Sequence, residues 1–96
     1  MEVIWTKQTI QMVNEFVDYI AQDNYSTAEQ WALELMSKTD KLADHPRLGR
    51  IVPEYDEETL REILVGNYRL PYRIKDDGIY IEAVWHVRQI PSKRGL

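Results

Sequence analysis

Residues 60–87 read LREILVGNYRLPYRIKDDGIYIEAVWHV, and this stretch decides the fold because apolar and polar side chains alternate between two turn signals. The alternation predicts three strands, at residues 60–65, 68–75 and 79–87. Gly66-Asn67 joins the first two strands, and Asp77-Gly78, a two-residue hairpin signal, joins the last two. Short connections of this kind make neighbouring strands antiparallel, so the stretch predicts an antiparallel meander.

The segment before the meander predicts a short strand and a first helix. Residues 3–5 read as the strand, and Thr6 or Thr9 is placed to cap the helix that follows it. An apolar stripe at i, i+3, i+4 and i+7 then marks one buried helix face, and Asp23-Asn24 ends the helix. The stripe consists of Val13, Phe16, Val17 and Ile20.

A second helix is predicted from a capping-box pattern at residues 26–29, in which Ser26 and Glu29 each satisfy a backbone N–H at a helix start. It begins near Thr27 and stops before Pro46, because proline disfavours helical geometry in the residue before it. Its apolar stripe runs through Ala28, Trp31, Ala32, Leu35, Thr39 and Leu42. The two helices therefore form an antiparallel hairpin.

The element order β-α-α-β-β-β predicts an α+β fold, with an antiparallel sheet and the helical hairpin packed on one face. The 96 residues suffice for a single domain, residues 1–96. A chain without cysteine and with two histidines can build neither a disulfide framework nor a zinc centre, so no metal or cofactor is expected. No apolar run approaches the roughly 20 residues that span a bilayer, and no basic, apolar leader begins the sequence. We therefore expect a soluble cytoplasmic protein.

Between the second helix and the meander the helical period disappears, and Pro46, Gly49 and Pro53 punctuate the chain. This segment predicts a loop that carries Arg47, Arg50 and Glu54. His45 precedes it as a helix-terminal histidine.

Charge is distributed unevenly along the chain. The net charge is −4, which argues against non-specific binding to nucleic acid. Residues 1–45 carry three basic and eight acidic side chains, whereas residues 46–96 carry nine and eight, with every arginine among them. Because arginine offers a rigid fork of donors for carboxylate or phosphate, contact chemistry is expected in the second half. The alternative for each arginine is a surface ion pair worth about 0–1 kcal/mol.

The strand register predicts which side chains share a face. If Asp77-Gly78 forms a two-residue turn, Arg73 stands opposite Glu82 and Arg69 stands opposite His86, all on the helix-free face. The same face gains Leu60, Glu62, Leu64 and Val84, and such a mixed surface suits a protein partner. The helices are expected to cover Tyr68, Leu70, Tyr72, Ile74, Ile81, Ala83 and Trp85.

Pro71 stands in the middle of the second strand of the meander and lacks the N–H that a strand ladder uses. A bulge or a missing pairing is therefore expected beside it. Such a defect would change the register derived from the Asp77-Gly78 turn.

Two chemical roles are weighed for these residues. Arg73 and Glu82 form either a cross-strand ion pair or, less simply, a catalytic couple. His86 is either an ordinary surface histidine or a general acid or base, because its unperturbed pKa of about 6.5 suits proton transfer near neutral pH. Metal-free RNA cleavage needs a base, an acid and a cation that stabilises the phosphorane, and Glu54, His86 and Arg69 could supply them.

The segments His45–Glu54, Arg61–Ile63, Tyr68–Ile74 and His86–Arg88, with Ala28–Ala32 of the second helix, together resemble the RelE/ParE toxin superfamily. The resemblance rests on the order and spacing of these segments over nearly the whole chain. It implies the toxin of a type II toxin–antitoxin pair, neutralised by a cognate antitoxin that wraps it with poorly ordered segments.

Two activities diverge within that superfamily: RelE-like members cleave mRNA on the ribosome, and ParE-like members inhibit DNA gyrase. The Pro53-Glu54 step, Arg69-Leu70-x-Tyr72 and a late histidine have counterparts in the nucleases. However, those nucleases often end in a His-Tyr pair and tend to be strongly basic, whereas this acidic chain has Val87 and Arg88 after His86.

The ending His86-Val87-Arg88 and the Gly49-Arg50 loop favour the ParE-like branch. The resemblance therefore implies gyrase inhibition, with contact or supporting residues Arg50, Leu60, Leu64, Arg69, Arg73, Val84, His86 and Arg88. The alternative is a ribosome-dependent mRNA endoribonuclease in which Glu54 is the base, His86 the acid and Arg69 the phosphate stabiliser. A third interpretation is an inactive interaction module that needs no chemistry.

Overall fold

The computed structural model describes residues 1–88, which form one mixed sheet and two packed helices. The α+β architecture predicted from the sequence is confirmed. In chain order the elements are β1 Val3–Trp5, α1 Lys7–Asp23, α2 Tyr25–Asp40, a 3₁₀ turn Lys41–Ala43, β2 Arg50–Ile51, β3 Leu60–Val65, β4 Tyr68–Lys75, β5 Gly78–Ile81 and β6 Trp85–His86.

Both helices begin at side-chain caps. Thr6 caps α1, since its hydroxyl accepts a hydrogen bond from the Thr9 N–H at 3.1 Å. Asn24 ends α1 and caps α2, accepting from the Thr27 N–H at 3.0 Å. The predicted capping box at Ser26 is therefore wrong, and α2 starts two residues earlier than expected. The buried positions of α2 follow the predicted stripe, with Ala28, Trp31, Leu35 and Thr39 inside.

The sheet has the strand order β1-β5-β4-β3-β2, and β6 pairs with β4. Four of these pairings are antiparallel, as expected, but β1 runs parallel to β5. A parallel pair is possible here because the connection that leaves β1 passes through the helices rather than through a hairpin. The strand β2 lies inside the segment predicted to be loop, and it pairs Arg50 with Glu62.

The β4–β5 hairpin turns one residue earlier than predicted. Lys75 pairs with Gly78, so the register differs by two residues from the one derived from Asp77-Gly78. Arg73 therefore stands opposite Tyr80 rather than Glu82, although its Nε still lies 3.6 Å from a Glu82 oxygen. A shift of two residues leaves every side chain on its predicted face, because the side-chain period of a strand is two.

Beyond β5 a bulge places the side chains on the face of the sheet opposite to the predicted one. Ile81 pairs with Tyr72 and Trp85 with Arg69, so three residues on one strand lie opposite two on the other. The bulge occurs at Pro71, as expected, and the Glu82 N–H donates to the Pro71 carbonyl at 3.0 Å. One extra residue moves all later side chains to the other face.

This reversal corrects four placements. Ala83 and Trp85, expected beneath the helices, pack with Val52 and Leu60 on the face that also carries Arg69. Val84 belongs instead to the core beneath the helices, and the His86 ring lies edge-on to Tyr68, with centroids 5.3 Å apart. His86 is therefore not opposite Arg69 and does not share its face.

The helix-free face is itself partly covered. Residues 52–59 cross it, and Tyr55 packs against a second small core of Val52, Leu60, Ala83 and Trp85. The larger core lies between the sheet and the helices and includes Trp31, Leu35, Leu70, Tyr72, Ile79 and Ile81. Within residues 1–88, no helix is both long and apolar enough to cross a bilayer.

Candidate functional site

Arg69 stands at the centre of a chain of ion pairs on the helix-free face. Its Nε donates to Glu62 at 2.7 Å, while Nη1 and Nη2 donate to the two oxygens of Glu54 at 2.8 and 2.6 Å. The Trp85 ring lies against the guanidinium, with its centroid 5.4 Å from Cζ. Arg69 is only 6% exposed, so it is a buried cation held from three sides.

Glu62 is a buried carboxylate between two arginines. Its side chain is 0% exposed, and its second oxygen accepts from Arg50 Nε at 2.6 Å. The β3 register explains this position, because Glu62 pairs with Arg50 on one side and lies beside Arg69 on the other. The charges therefore alternate along this chain of ion pairs and sum to zero, in the order Arg50, Glu62, Arg69 and Glu54.

The electrostatics follow from this geometry. The hydrogen bonds from Arg69 lower the pKa of Glu54 to about 2, against the opposing effect of partial burial. The same bonds to Glu54 raise the pKa of Arg69, again against desolvation. Glu54 is therefore a carboxylate at neutral pH with little tendency to accept a proton, which makes it a poor general base as it stands in this structure.

Residues 53–59, which we call the acidic strap, hold four acidic side chains, and all three of its glutamates contact arginines. Glu54 pairs with Arg69, and Glu57 accepts from Arg73 at 3.0 Å. Glu58 accepts from Arg47 and Arg61, and these bonds lower its pKa. The strap is thus fixed to the sheet by ion pairs, by the Tyr55 ring packed against the second core, and by the Thr59 carbonyl, which accepts from the Ile74 N–H at 2.8 Å.

The eight contact residues expected from the resemblance divide into two groups in the structure. Leu60, Arg69 and Val84 are buried and cannot meet a partner without rearrangement. Arg50, Leu64, Arg73, His86 and Arg88 are at least partly exposed, and the Arg50 side chain retains 59% of its surface while it pairs with Glu62.

The three residues expected for nuclease chemistry are only partly brought together. Glu54 and Arg69 touch, but each satisfies the other. His86 lies on the opposite side of the sheet, where its Nδ1 accepts from the Arg88 N–H at 3.1 Å. The roles assigned to these residues remain predictions, but in this arrangement His86 and Arg69 do not face one common substrate.

The ion pairs between the acidic strap and the arginines of the sheet were not predicted from the sequence. Glu62 was placed on the correct face, but its burial between two arginines was not foreseen. The available signals were a charged residue between Leu60 and Leu64 in an alternating strand, and the acidic run at residues 56–58 close to arginine-bearing strands.

Comparison with known proteins identifies relatives over almost the whole chain. Residues 3–91 match the family described as the ParE toxin of the type II toxin–antitoxin system, parDE. Toxin RelE2 of Caulobacter vibrioides is 30% identical over 90 residues, which cover 93% of this chain and 98% of that protein. A solved structure, the chromosomal ParDE TA system from P. aeruginosa, has a TM-score of 0.72 at 17% identity and covers 90% of this chain and 95% of its own. At that identity the structural likeness concerns the fold.

Proposed function

The chain belongs to the ParE toxin family of type II toxin–antitoxin systems, and from this membership we propose that it inhibits DNA gyrase and is neutralised by a cognate antitoxin. The membership makes the chain a toxin of the ParE/RelE superfamily. The proposal that gyrase is the target goes beyond this membership. It rests on the resemblance of the sequence to the ParE-like branch, whose activity is inhibition of gyrase.

One structural observation favours gyrase inhibition over RNA cleavage as the activity of this chain. The bidentate pair of Glu54 with Arg69 uses both groups, and His86 lies on the other side of the sheet. An enzyme that cleaves RNA without metal needs base, acid and phosphate-stabilising cation around one phosphate. Gyrase inhibition by binding needs no such set, and it requires only an exposed contact surface.

The proposed contact residues are the exposed members of the predicted set, and they lie on two sides of the sheet. Arg50, Leu64 and Arg73 belong to the helix-free face, whereas His86 lies on the helix side and bonds to the neighbouring Arg88. Arg69 and Leu60 hold the strands in place beneath the helix-free face, and Val84 does so from the core beneath the helices. The exposed cations suit an acidic surface on the partner, and Leu64, which is 46% exposed, supplies an apolar contact.

The test combines expression with a purified assay. Expression without antitoxin should produce DNA-break signalling while translation continues, and purified protein should inhibit supercoiling by gyrase. Arg50→Ala should weaken inhibition at least tenfold. Arg47→Ala serves as the matched control, since Arg47 is equally exposed but pairs with Glu58 outside the proposed surface. Unchanged supercoiling with excess wild-type protein would refute gyrase as the target.

The antitoxin is a second part of the proposal, supported by the toxin–antitoxin description of the family and of the ParDE structure. Co-expression with the product of an adjacent gene should restore growth and yield a stable complex. Growth arrest that no neighbouring gene product relieves would contradict this part.

Ribosome-dependent mRNA cleavage is the second candidate function, since two of its three expected residues, Glu54 and Arg69, lie side by side, although their ion pair occupies both groups in this structure. Cut mRNA with early translation arrest would support it, and His86→Gln should then abolish cleavage. Expression without any growth defect would instead favour the inactive interaction module.

A further inference from the structure

A cleft lies between the C-terminal end of α2 and the edge of the sheet, and we call it the α2–β3 cleft. The last turn of α2 and the 3₁₀ turn form one wall, and the segment that leads into β2 forms the other, beside β3. Its volume is about 400 Å³. The residues that line it combine positive charge with apolar surface, and they include Lys38, Lys41, Leu48, Arg50, Ile63 and Leu64.

The two lysines of the cleft are available to a partner. Lys41 is exposed and forms no ion pair within residues 1–88. Lys38 donates to the Leu64 carbonyl at 2.7 Å and pairs with Glu34 at 3.0 Å. Both members of that pair are exposed, so it contributes little and can be exchanged for a carboxylate of a partner.

The third cation of the cleft, Arg50, is only partly neutralised. Its side chain retains 59% of its surface, and the Glu62 carboxylate that it contacts is shared with Arg69. Three cations therefore line the cleft around a single carboxylate that is already occupied. A further anionic group is electrostatically favoured there.

Exposed leucines distinguish this cleft from an ordinary helix end. Lysines near a helix C-terminus are expected by themselves, because they interact favourably with the helix dipole. That effect does not account for Leu48 and Leu64, which are 55% and 46% exposed and come from different segments of the chain. An apolar side chain that packs between them would remove apolar surface from water on both sides of the contact.

The wall that carries Leu48 is fixed before any partner binds. The Tyr72 hydroxyl accepts from the Gly49 N–H at 2.9 Å and donates to the Pro46 carbonyl at 2.7 Å. Arg61 Nη1 donates to the Gly49 carbonyl at 3.0 Å. Because the wall is already ordered, a partner does not have to order it on binding, which favours affinity.

The charge of the rest of the chain favours a short protein segment over nucleic acid. Residues 1–45, which include one wall of the cleft, carry eight acidic and three basic side chains. A nucleic acid strand extends beyond a cleft of this size and would meet that excess of negative charge. A second copy of the chain would have to insert a different surface, and such a heterologous contact leads to open filaments rather than a closed dimer.

We propose that the α2–β3 cleft binds a segment of the antitoxin in which acidic side chains flank an apolar one. This inference rests on the antitoxin part of the proposed function, and it adds the place and the chemistry of the contact. Arg50 and Leu64 are also proposed gyrase contacts, so a segment in the cleft covers two of them and thereby blocks the toxin. Lys41 and Leu48 belong to the cleft alone, so changes there separate the two contacts.

The experiment measures the fluorescence anisotropy of a short labelled peptide in which glutamates alternate with leucines, titrated with the purified full-length chain at constant salt. Binding should be saturable. Lys41→Glu and Leu48→Ala should each weaken it about tenfold, as expected for a well-placed interface contact. Lys41→Gln should have a smaller effect than Lys41→Glu, because it removes the charge without reversing it. The complex with the product of the adjacent gene should not bind the peptide, since its cleft is occupied.

Two variants outside the cleft serve as matched controls. Lys7 is an exposed lysine of α1, and Leu33 is a leucine of α2 that is 64% exposed; neither lines the cleft. Lys7→Glu and Leu33→Ala should bind the peptide as the wild type does. A peptide with lysine in place of glutamate should not bind. Circular dichroism verifies that each variant keeps the fold, which is expected because all four positions are exposed.

Saturable binding that is weakened in Lys41→Glu and Leu48→Ala but kept in both controls supports the proposal. Absence of binding, or equal binding by all variants, overturns it. A single-stranded oligonucleotide of the same charge that binds more tightly through the same residues overturns it in favour of nucleic acid. A toxin–antitoxin complex that still binds the peptide overturns it as well, because the antitoxin would then leave the cleft open.

Failure of this inference differs visibly from failure of the proposed function. If no neighbouring gene product relieves growth arrest, the antitoxin itself is refuted. If a neighbouring gene product restores growth but its complex still binds the peptide, only the place of the contact is wrong. Inhibition of supercoiling is measured without antitoxin, and Lys41→Glu should leave it unchanged.

Discussion

Glu62→Gln should be the most destabilising conservative substitution in the ion-pair chain. The side chain has no exposed surface, and its oxygens accept from Arg69 at 2.7 Å and from Arg50 at 2.6 Å. Glutamine has the same size, but its amide group turns an N–H donor toward one of the two guanidinium donors. The substitution therefore removes a charge from between two cations and adds a donor where an acceptor is needed.

The expected loss of unfolding free energy depends on the ion-pair partners and hydration that Arg69 and Arg50 each retain. Breaking a buried ion pair by removing one partner typically costs about 3–5 kcal/mol. Arg69 retains Glu54, and Arg50 is largely exposed to water, so we expect the lower end, about 3 kcal/mol. A 96-residue domain has about 5–14 kcal/mol of stability in total, and a loss of 3 kcal/mol lowers its unfolding midpoint by about 12–24 °C.

The assay is urea unfolding followed by circular dichroism, with Glu58→Gln as the control. Glu58 pairs with arginines while half exposed, so water screens its ion pairs and its loss should cost much less than the loss of Glu62. Adding Arg69→Gln to Glu62→Gln should cost less than the two single changes summed, because the residues share one interaction. If Glu62→Gln is no worse than Glu58→Gln, the assignment of a buried ionic core is wrong.

Three further predictions rest on neighbouring contacts and on pH. Gly49→Ala should destabilise the fold by about 2 kcal/mol or more in the same urea assay, because a Cβ there would lie 2.3 Å from the Glu62 carbonyl oxygen and 2.9 Å from the Tyr72 ring; a neutral effect would contradict this packing. Tyr72→Phe should cost about 1–3 kcal/mol, since the hydroxyl accepts from the Gly49 N–H at 2.9 Å and donates to the Pro46 carbonyl at 2.7 Å; a normal unfolding midpoint would show that these bonds are dispensable. The pKa of Glu54 is lowered from 4.5 to about 2 in the folded chain, so its stabilisation is complete above about pH 5 and is lost as the pH falls toward 2. Discounted for the exposure of the side chain, this amounts to about 1 kcal/mol, and Glu54→Gln should flatten the acid limb of the stability–pH curve; an unchanged slope would refute the pairing.

The helices and the β3–β4 hairpin were predictable because their signals are local. Thr6 caps α1, and β3 and β4 run from Leu60 to Val65 and from Tyr68 to Lys75, as the alternation predicted. The turn between them contains Gly66, whose φ of 58° suits glycine. Such features depend on residues a few positions apart, so a single sequence displays them.

The short strands were harder to predict. β2 contains two residues, too few to show an alternation, and β1 pairs with β5 across more than seventy residues of chain. A parallel partner leaves no turn signal in the sequence. Its position becomes apparent only when the helices have brought the N-terminus back to the sheet edge.

The sequence by itself determined the element order, the apolar stripes of the helices and the chemistry available on the strands. It also located the defect at Pro71, because a residue without an N–H cannot complete a ladder. Tertiary structure alone decided what that defect does. One extra residue between Ile81 and Trp85 moved His86 to the helix side and Trp85 against Arg69. Successive side chains of a strand point to opposite faces, so one inserted residue decides which side chains contact each other. Whether that residue is inserted depends on how the two strands pair.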